Sequence, residues 1–218
     1  MPKRFDLLVF DWDGTLMDSA AVIVDSIQAA SRDIGVDAPS DDEARHIIGL
    51  GLNEAVAALF PAMDTADYAR LADRYRHHFM AQDAQIPLFA GAEEAIRELH
   101  AEGFLLAVAT GKGRRGLDRV LDHTGLRPWF HATRCADESF SKPHPQMLLE
   151  LMDVLGATPD RTLMIGDTSH DLQMAANAGV PSLGACYGAH PREGLLGYAP
   201  LACAETFADL RQWLREHA

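Results

Sequence analysis

Lysine is nearly missing from this chain. Among 218 residues only Lys3, Lys112 and Lys142 carry it, and acids outnumber bases 32 to 19 for a net charge of −13. An excess of that size repels a phosphate backbone, which argues against a nucleic-acid partner. Cysteine is scarce too. Cys135, Cys186 and Cys203 are odd in number, scattered and without a CxxC pair. That excludes a disulfide framework and a zinc site, and it predicts reduced thiols in a cytoplasmic protein. No apolar run approaches the ~20 residues that a membrane span requires. The apolar run after Lys3 and Arg4 is short and broken by aspartates, unlike a secretory leader. What remains is 48% hydrophobic and 23% charged, ordinary for a globular protein with room for one large domain or a core and a smaller partner. A monomer or homodimer without membrane contact is expected.

The stretch FDLLVFDWDGTLMDS, residues 5–19, carries the first chemistry. Leu7 to Phe10 reads as a buried parallel strand. Such strands present functional groups at their carboxyl ends, where ligands bind. Asp11 and Asp13 sit there, followed by Gly14 for a tight turn and Thr15 with its hydroxyl. Residues i and i+2 of an extended strand share a face, so the two carboxylates are expected to converge. Two such charges need a cation between them or a shared proton, and a hard divalent cation is the simplest answer. Alone, the DxDG pattern also fits a plain strand end with an Asp-Gly turn.

The grammar then changes twice. Ala20 to Ile34 has helical spacing and a stop at Gly35. Ser40 and Glu43 form a capping-box pattern for a second helix ending near Ile48 to Gly51. Asn53 is expected to cap a third helix through Phe60, and Thr65 to Gln82 reads as a fourth. From Ile86 onward strands and helices alternate: helix 92–102, strand 104–109, helix 114–124, short strand 130–134, a helix to Leu155, strand 161–165, helix 172–178, strand 180–185, a weak strand near Leu201 and a final helix 205–216. Alternation implies right-handed crossovers, hence an α/β fold with a doubly wound, Rossmann-like parallel sheet. The all-helical block is read as an inserted cap, residues 18–85. The core then comprises residues 1–17 and 86–218, with crossings near Met17-Asp18 and Gln85 to Pro87.

Four strand ends carry chemistry in order. Asp11 and Asp13 follow the first, Thr110 the second, Lys142 precedes a later helix, and Gly166-Asp167-Thr168-Ser169-His170-Asp171 follows another strand. In a parallel sheet all of these fall on one edge. Paired carboxylates with a cation, a hydroxyl, a lysine and further aspartates suit phosphoryl transfer, which needs positioning and charge neutralisation around phosphorus.

With these residues in place, the chain resembles the haloacid dehalogenase-like superfamily, in its helical-cap phosphatase branch and most nearly the phosphoglycolate phosphatase group. DWDGTLMDS matches the first motif of that superfamily, the threonine of ATGK the second, SKPHP the third and GDTSHD the fourth. The resemblance implies that Asp11 is the nucleophile, forming an aspartyl-phosphate. It implies that Asp13 is the general acid and base, with its backbone carbonyl on the metal. Thr110 and Lys142 would hold phosphoryl oxygens, and Gly111 and Gly49 would line the substrate. Asp11, Asp13, Asp167 and Asp171 would hold Mg²⁺. Gly111 departs from relatives that often have asparagine there. The implied partner is a small phosphorylated metabolite, phosphoglycolate-like or a sugar phosphate.

Lys112, Arg114 and Arg115 read as solvated helix-start residues, and His170 as exposed and silent. Arg70, Arg74, Arg76, His77 and His78 read as a solvated basic face. Asp13 argues against a dehalogenase, and a cap without lysine argues against a phosphonate hydrolase. A phosphomutase, an inorganic pyrophosphatase and a silent regulatory binding protein stay open as alternatives.

Overall fold

The computed structural model describes residues 3–218. Six strands form one sheet: β1 (Leu7–Phe10), β2 (Leu105–Thr110), β3 (Ala132–Cys135), β4 (Thr162–Gly166), β5 (Ser182–Ala185) and β6 (Cys203–Ala204), in the order β3-β2-β1-β4-β5-β6 with every pairing parallel. Order reverses direction beside β1, so the crevice outside the carboxyl ends of β1, β2 and β4 is where such sheets take ligands.

The central strands are apolar without alternation because both of their faces are covered. Leu8, Phe10, Leu106, Val108, Leu163 and Ile165 belong to one buried cluster, and Leu7, Val9, Ala107, Ala109 and Met164 to another. Helices α5 (Ala92–Ala101), α6 (Arg114–Thr124) and α10 (Phe207–His217) feed the first cluster through Ile96, Leu117 and Leu210. Helices α7 (Gln146–Leu155) and α8 (Ser169–Asn177) feed the second through Leu148, Leu151 and Met174. A short α9 (Arg192–Leu196), unforeseen from the sequence, follows β5.

Between β1 and α5 lie four further helices and no strand: α1 (Ala20–Ile34), α2 (Asp41–His46), α3 (Leu52–Leu59) and α4 (Thr65–Met80). The Ser40–Glu43 capping box forms as its sequence demands. Ile27, Leu71 and Phe79 of this block pack into the same cluster as Phe10 and Val108. Its two crossings lie side by side. Phe89 N donates to the Leu16 carbonyl and Asp18 N to that of Pro87, each at 3.0 Å, and Met17 bridges Leu88 in antiparallel fashion. Among the described residues no helix is long and apolar enough to cross a membrane.

Several expectations need correction. Asn53 lies inside α3, whose N-cap is Gly51, because Gly51 N is taken by the Ser141 hydroxyl of the core at 2.8 Å. Helix α4 ends at Met80 and not at Gln82, and residues 83–85 form a separate turn held by an ion pair of buried Asp83 with Arg119 of α6. Helix α8 starts three residues early, at Ser169, since Thr168 and Asp171 form a second capping box. The basic face of α4 is only partly solvated: Arg74 and His78 both reach Asp33 on α1.

Candidate active site

β1 ends at Phe10, and although Asp11 N still donates to the Ile165 carbonyl of β4 at 2.9 Å, the chain turns from Trp12 onward, so the i, i+2 geometry of a strand no longer applies. This corrects the expectation that the carboxylates of Asp11 and Asp13 converge. The three carboxylates that do converge are those of Asp11, Asp167 and Asp171, each offering an oxygen within 4.8 Å of the others. All three are buried. The carboxylate of Asp13 turns elsewhere, to Lys112 at 2.8 and 2.9 Å and to the Ser19 hydroxyl at 2.7 Å.

Glycine makes the acidic cluster possible. A Cβ on Gly14 would lie 2.1 Å from Asp167 Oδ2, one on Gly188 2.3 Å from Asp167 Cβ, and one on Gly166 2.4 Å from the Asp171 side chain. Such separations are below any van der Waals contact, so only glycine lets the backbone close around the acids. Asp167 follows β4 and is held by the Thr15 hydroxyl at 2.8 Å and by Ala189 N at 2.7 Å. Asp171 Oδ2 accepts from Thr168 N and Oγ1 at 3.1 and 2.6 Å. Tyr187, two residues before Ala189, donates its hydroxyl to the Thr15 carbonyl at 2.9 Å.

Lys142 is the one cation inside this group. Its Nζ lies 2.8 Å from Asp11 Oδ1 and 2.5 Å from Asp171 Oδ1, with its side chain fully buried. Burial works against its charge, but Asp11 and Asp171 more than offset that and hold it above the ordinary lysine value. One ammonium cannot neutralise three carboxylates. Burial pushes Asp11 up to about 7, aided by the like charge of Asp171 and against the pull of Lys142. Burial, with the charges of Asp11 and Asp171, raises Asp167 well above the usual carboxylate range. Asp11 Oδ2 is buried with no hydrogen-bond partner. An anionic, all-oxygen donor set with an orphaned oxygen fits a hard divalent cation.

The remaining sites sit around this cluster. Thr110, at the end of β2, is buried, and its hydroxyl accepts from Lys112 N at 3.2 Å. Gly111 is covered by the helical insert: a Cβ there would lie 2.4 Å from the Leu50 carbonyl oxygen and 2.5 Å from that of Gly49. Gly49 in turn has φ +93° and abuts Thr168. The insert therefore rests directly on two strand-end segments.

Two expectations fail at the periphery. Lys112 is not solvated: its side chain is 9% exposed, engages Asp13 and lies 4.5 Å from the Phe79 ring centroid. His170 is half-buried, with Nε2 2.8 Å from the His46 carbonyl, in a cluster with His46 and His190. Ser19, Gly188 and Ala189 escaped sequence reasoning, and the Thr15 hydroxyl, expected to serve its own turn, serves Asp167 instead. Only the DxDGT…DS pattern could have signalled Ser19, since Gly188 and Ala189 meet Asp167 from distant sequence.

The sequence model for haloacid dehalogenase-like hydrolases matches residues 8–185. A protein of Dickeya dadantii named "Probable phosphatase IndB" is 34% identical over 210 residues, covering 94% of this chain and 91% of that one. A phosphoglycolate phosphatase of Agrobacterium fabrum is 31% identical over 188 residues, covering 84% and 81%. The crystal structure of a hydrolase from Pseudomonas syringae superposes with a TM-score of 0.89 at 24% identity, covering 99% of each chain, which speaks to the fold.

Proposed function

The chain belongs to the haloacid dehalogenase-like hydrolase family, and on that premise we propose that it is a divalent-metal-dependent phosphatase of small phosphate monoesters. The observation that carries this reading is the buried, partnerless Oδ2 of Asp11, beside a lysine and among acids that one lysine cannot neutralise. A nucleophile needs such a free oxygen, and a phosphoryl group brings charge that a lysine and a cation would balance.

In the proposed cycle an Asp11 carboxylate oxygen attacks phosphorus and the ester P–O bond breaks. Asp13 gives its proton to the leaving alkoxide. Water then attacks the aspartyl-phosphate, Asp13 takes the proton of that water, and the bond to Asp11 breaks to release inorganic phosphate. Thr110 Oγ1 and Lys142 Nζ hold phosphoryl oxygens throughout. The carboxylates of Asp11, Asp167 and Asp171 with the Asp13 carbonyl would hold Mg²⁺. When bound, it supplies positive charge against the phosphoryl oxygens. The helical insert, resting on Gly111 and Thr168, would exclude water during transfer and open for product release. The phosphoglycolate phosphatase of Agrobacterium fabrum supports a compact substrate such as 2-phosphoglycolate or a sugar phosphate.

The test is to trap the phosphoryl enzyme. Asp13→Asn incubated with a phosphate ester of an activated phenol and Mg²⁺ should gain one phosphoryl group, located by peptide mass spectrometry on Asp11. Phosphate release from a panel of small esters then ranks substrates. Labelling elsewhere, or turnover by purified Asp11→Asn, would overturn the assignment.

A further inference from the structure

We propose that Lys112 is a positioning residue that fixes Asp13 for proton transfer, and that it does so only while the helical insert is closed. The proposal rests on Asp13 being the general acid and base.

Lys112 joins three elements that sequence keeps far apart. Its ammonium donates to both carboxylate oxygens of Asp13, at 2.9 and 2.8 Å, after the end of β1. Its own backbone is anchored after β2: its N donates to Thr110 Oγ1 at 3.2 Å and its carbonyl accepts from Ala136 N at 3.3 Å. Its outer side lies against Phe79 of α4 in the insert, 4.5 Å from the ring centroid. Phe79 is buried, and Tyr75 stacks on it at 5.9 Å. Burial, together with the nearby negative charge of Asp13, raises the Tyr75 phenol above its ordinary value. The insert thus supplies an aromatic wall on the far side of the Lys112–Asp13 pair.

The chemistry follows from that arrangement. Charge-assisted hydrogen bonds to both oxygens leave Asp13 one orientation, with Ser19 Oγ at 2.7 Å as a third restraint. Proton transfer tolerates little error, since a misplacement of about 1 Å costs about 10²-fold. An ammonium on an aromatic face is held best where water is excluded. Opening the insert withdraws Phe79 and hydrates Lys112, so Asp13 loses its restraint. Lys142 has no share in this, being occupied by Asp11 and Asp171. The two site lysines therefore divide the work: one serves phosphorus and the other serves the acid.

The experiment compares Lys112→Met, Lys112→Arg, Phe79→Leu and Asp13→Asn on an alkyl phosphate and on p-nitrophenyl phosphate, whose leaving group needs little protonation. In single-turnover formation of the phosphoryl enzyme, where Asp13 acts only as acid, Asp13→Asn is expected to lose about 10²-fold or more in rate on the alkyl ester and far less on the aryl one. Lys112→Met should show the same leaving-group dependence with KM nearly unchanged, and should add nothing in the Asp13→Asn background. Lys112→Arg should recover part of the loss. Phe79→Leu should lose about tenfold on the alkyl ester only, and with Lys112→Arg it decides the matter should Lys112→Met not fold. Equal losses on both esters, or a raised KM with kcat kept, overturn the role of Lys112 while leaving Asp13 intact. An Asp13→Asn variant without leaving-group dependence removes the acid assignment itself and the proposal with it.

Discussion

Asp11 sits where electrostatics works against it, and its stability effect should be opposite to its catalytic one. Its folded value is raised to about 7, so the folded chain retains a proton there that the unfolded chain releases near pH 4. Stability from this group is therefore full at low pH and is lost as pH rises through about 7. Without metal, Asp11→Asn should exceed wild type in stability by about 1–2 kcal/mol at pH 5 and by about 2–3 kcal/mol more at pH 8, while losing turnover. Urea melts in a chelator at the two pH values check this; a variant less stable at pH 8 would show that the Asp11–Lys142 pair outweighs the crowding of carboxylates. That Asp11, Lys142, Asp167 and Asp171 lie together was legible in sequence, since each follows a strand or precedes a helix in fixed order. The partners of Asp13 were not. Lys112 is 99 residues away from it, and a lysine opening a helix gives no local sign that an acid and an aromatic ring await it.

Elements announced themselves wherever the signal was local. Glycines 35, 125 and 156 end α1, α6 and α7 in left-handed conformations, as helix stops of that kind should. Boundaries slipped where tertiary contacts chose them. Ser141 drew the start of α3 back to Gly51, against the expectation from Asn53. The contact of the insert on the core gives a steric prediction. Gly111→Ala puts a methyl 2.4–2.5 Å from two backbone oxygens that cannot rotate away, so the insert should seat poorly. Strain of about 1–3 kcal/mol corresponds to roughly 5- to 150-fold lost in kcat/KM, with faster proteolysis of the 49–51 loop; unchanged proteolysis and kinetics would mean that the loop yields. Within the insert, Leu71 is fully buried in α4, against which α1 packs. Leu71→Ala should cost about 2–5 kcal/mol. Calorimetry should show whether the insert melts before the sheet, and a single unshifted transition would contradict the packing described.

For the whole molecule, the cation and the proton compete for the same buried acids. Because Asp11 and Asp167 are raised, by burial first, metal binding must release protons. The rise in melting temperature on adding Mg²⁺ should thus be large at pH 8 and small at pH 5, and a shift independent of pH would place the ion elsewhere. Mn²⁺ should support turnover. Ca²⁺, larger and prone to bidentate carboxylates, should compete and inhibit; full activity with Ca²⁺ alone would contradict Asp11 as both ligand and nucleophile. The parallel sheet and the helical stretch after its first strand were legible because the pattern switches from helices alone to alternating strands and helices, whereas the order of the strands and the closeness of insert and core depend on contacts that only folding reveals. The paired crossings carry a consequence of their own. Leu16 and Phe89 are hydrogen-bonded at 3.0 Å before the chain departs and after it returns, so the sheet is sewn shut at the neck of the excursion. The ends of the excursion are already together, and its length adds little closure entropy. To the core the excursion is a cassette: another module whose termini meet at that spacing, with an apolar underside to replace Ile27, Leu71 and Phe79, can be spliced in without moving Asp11, Asp167 or Asp171, whose side-chain partners all lie in the core.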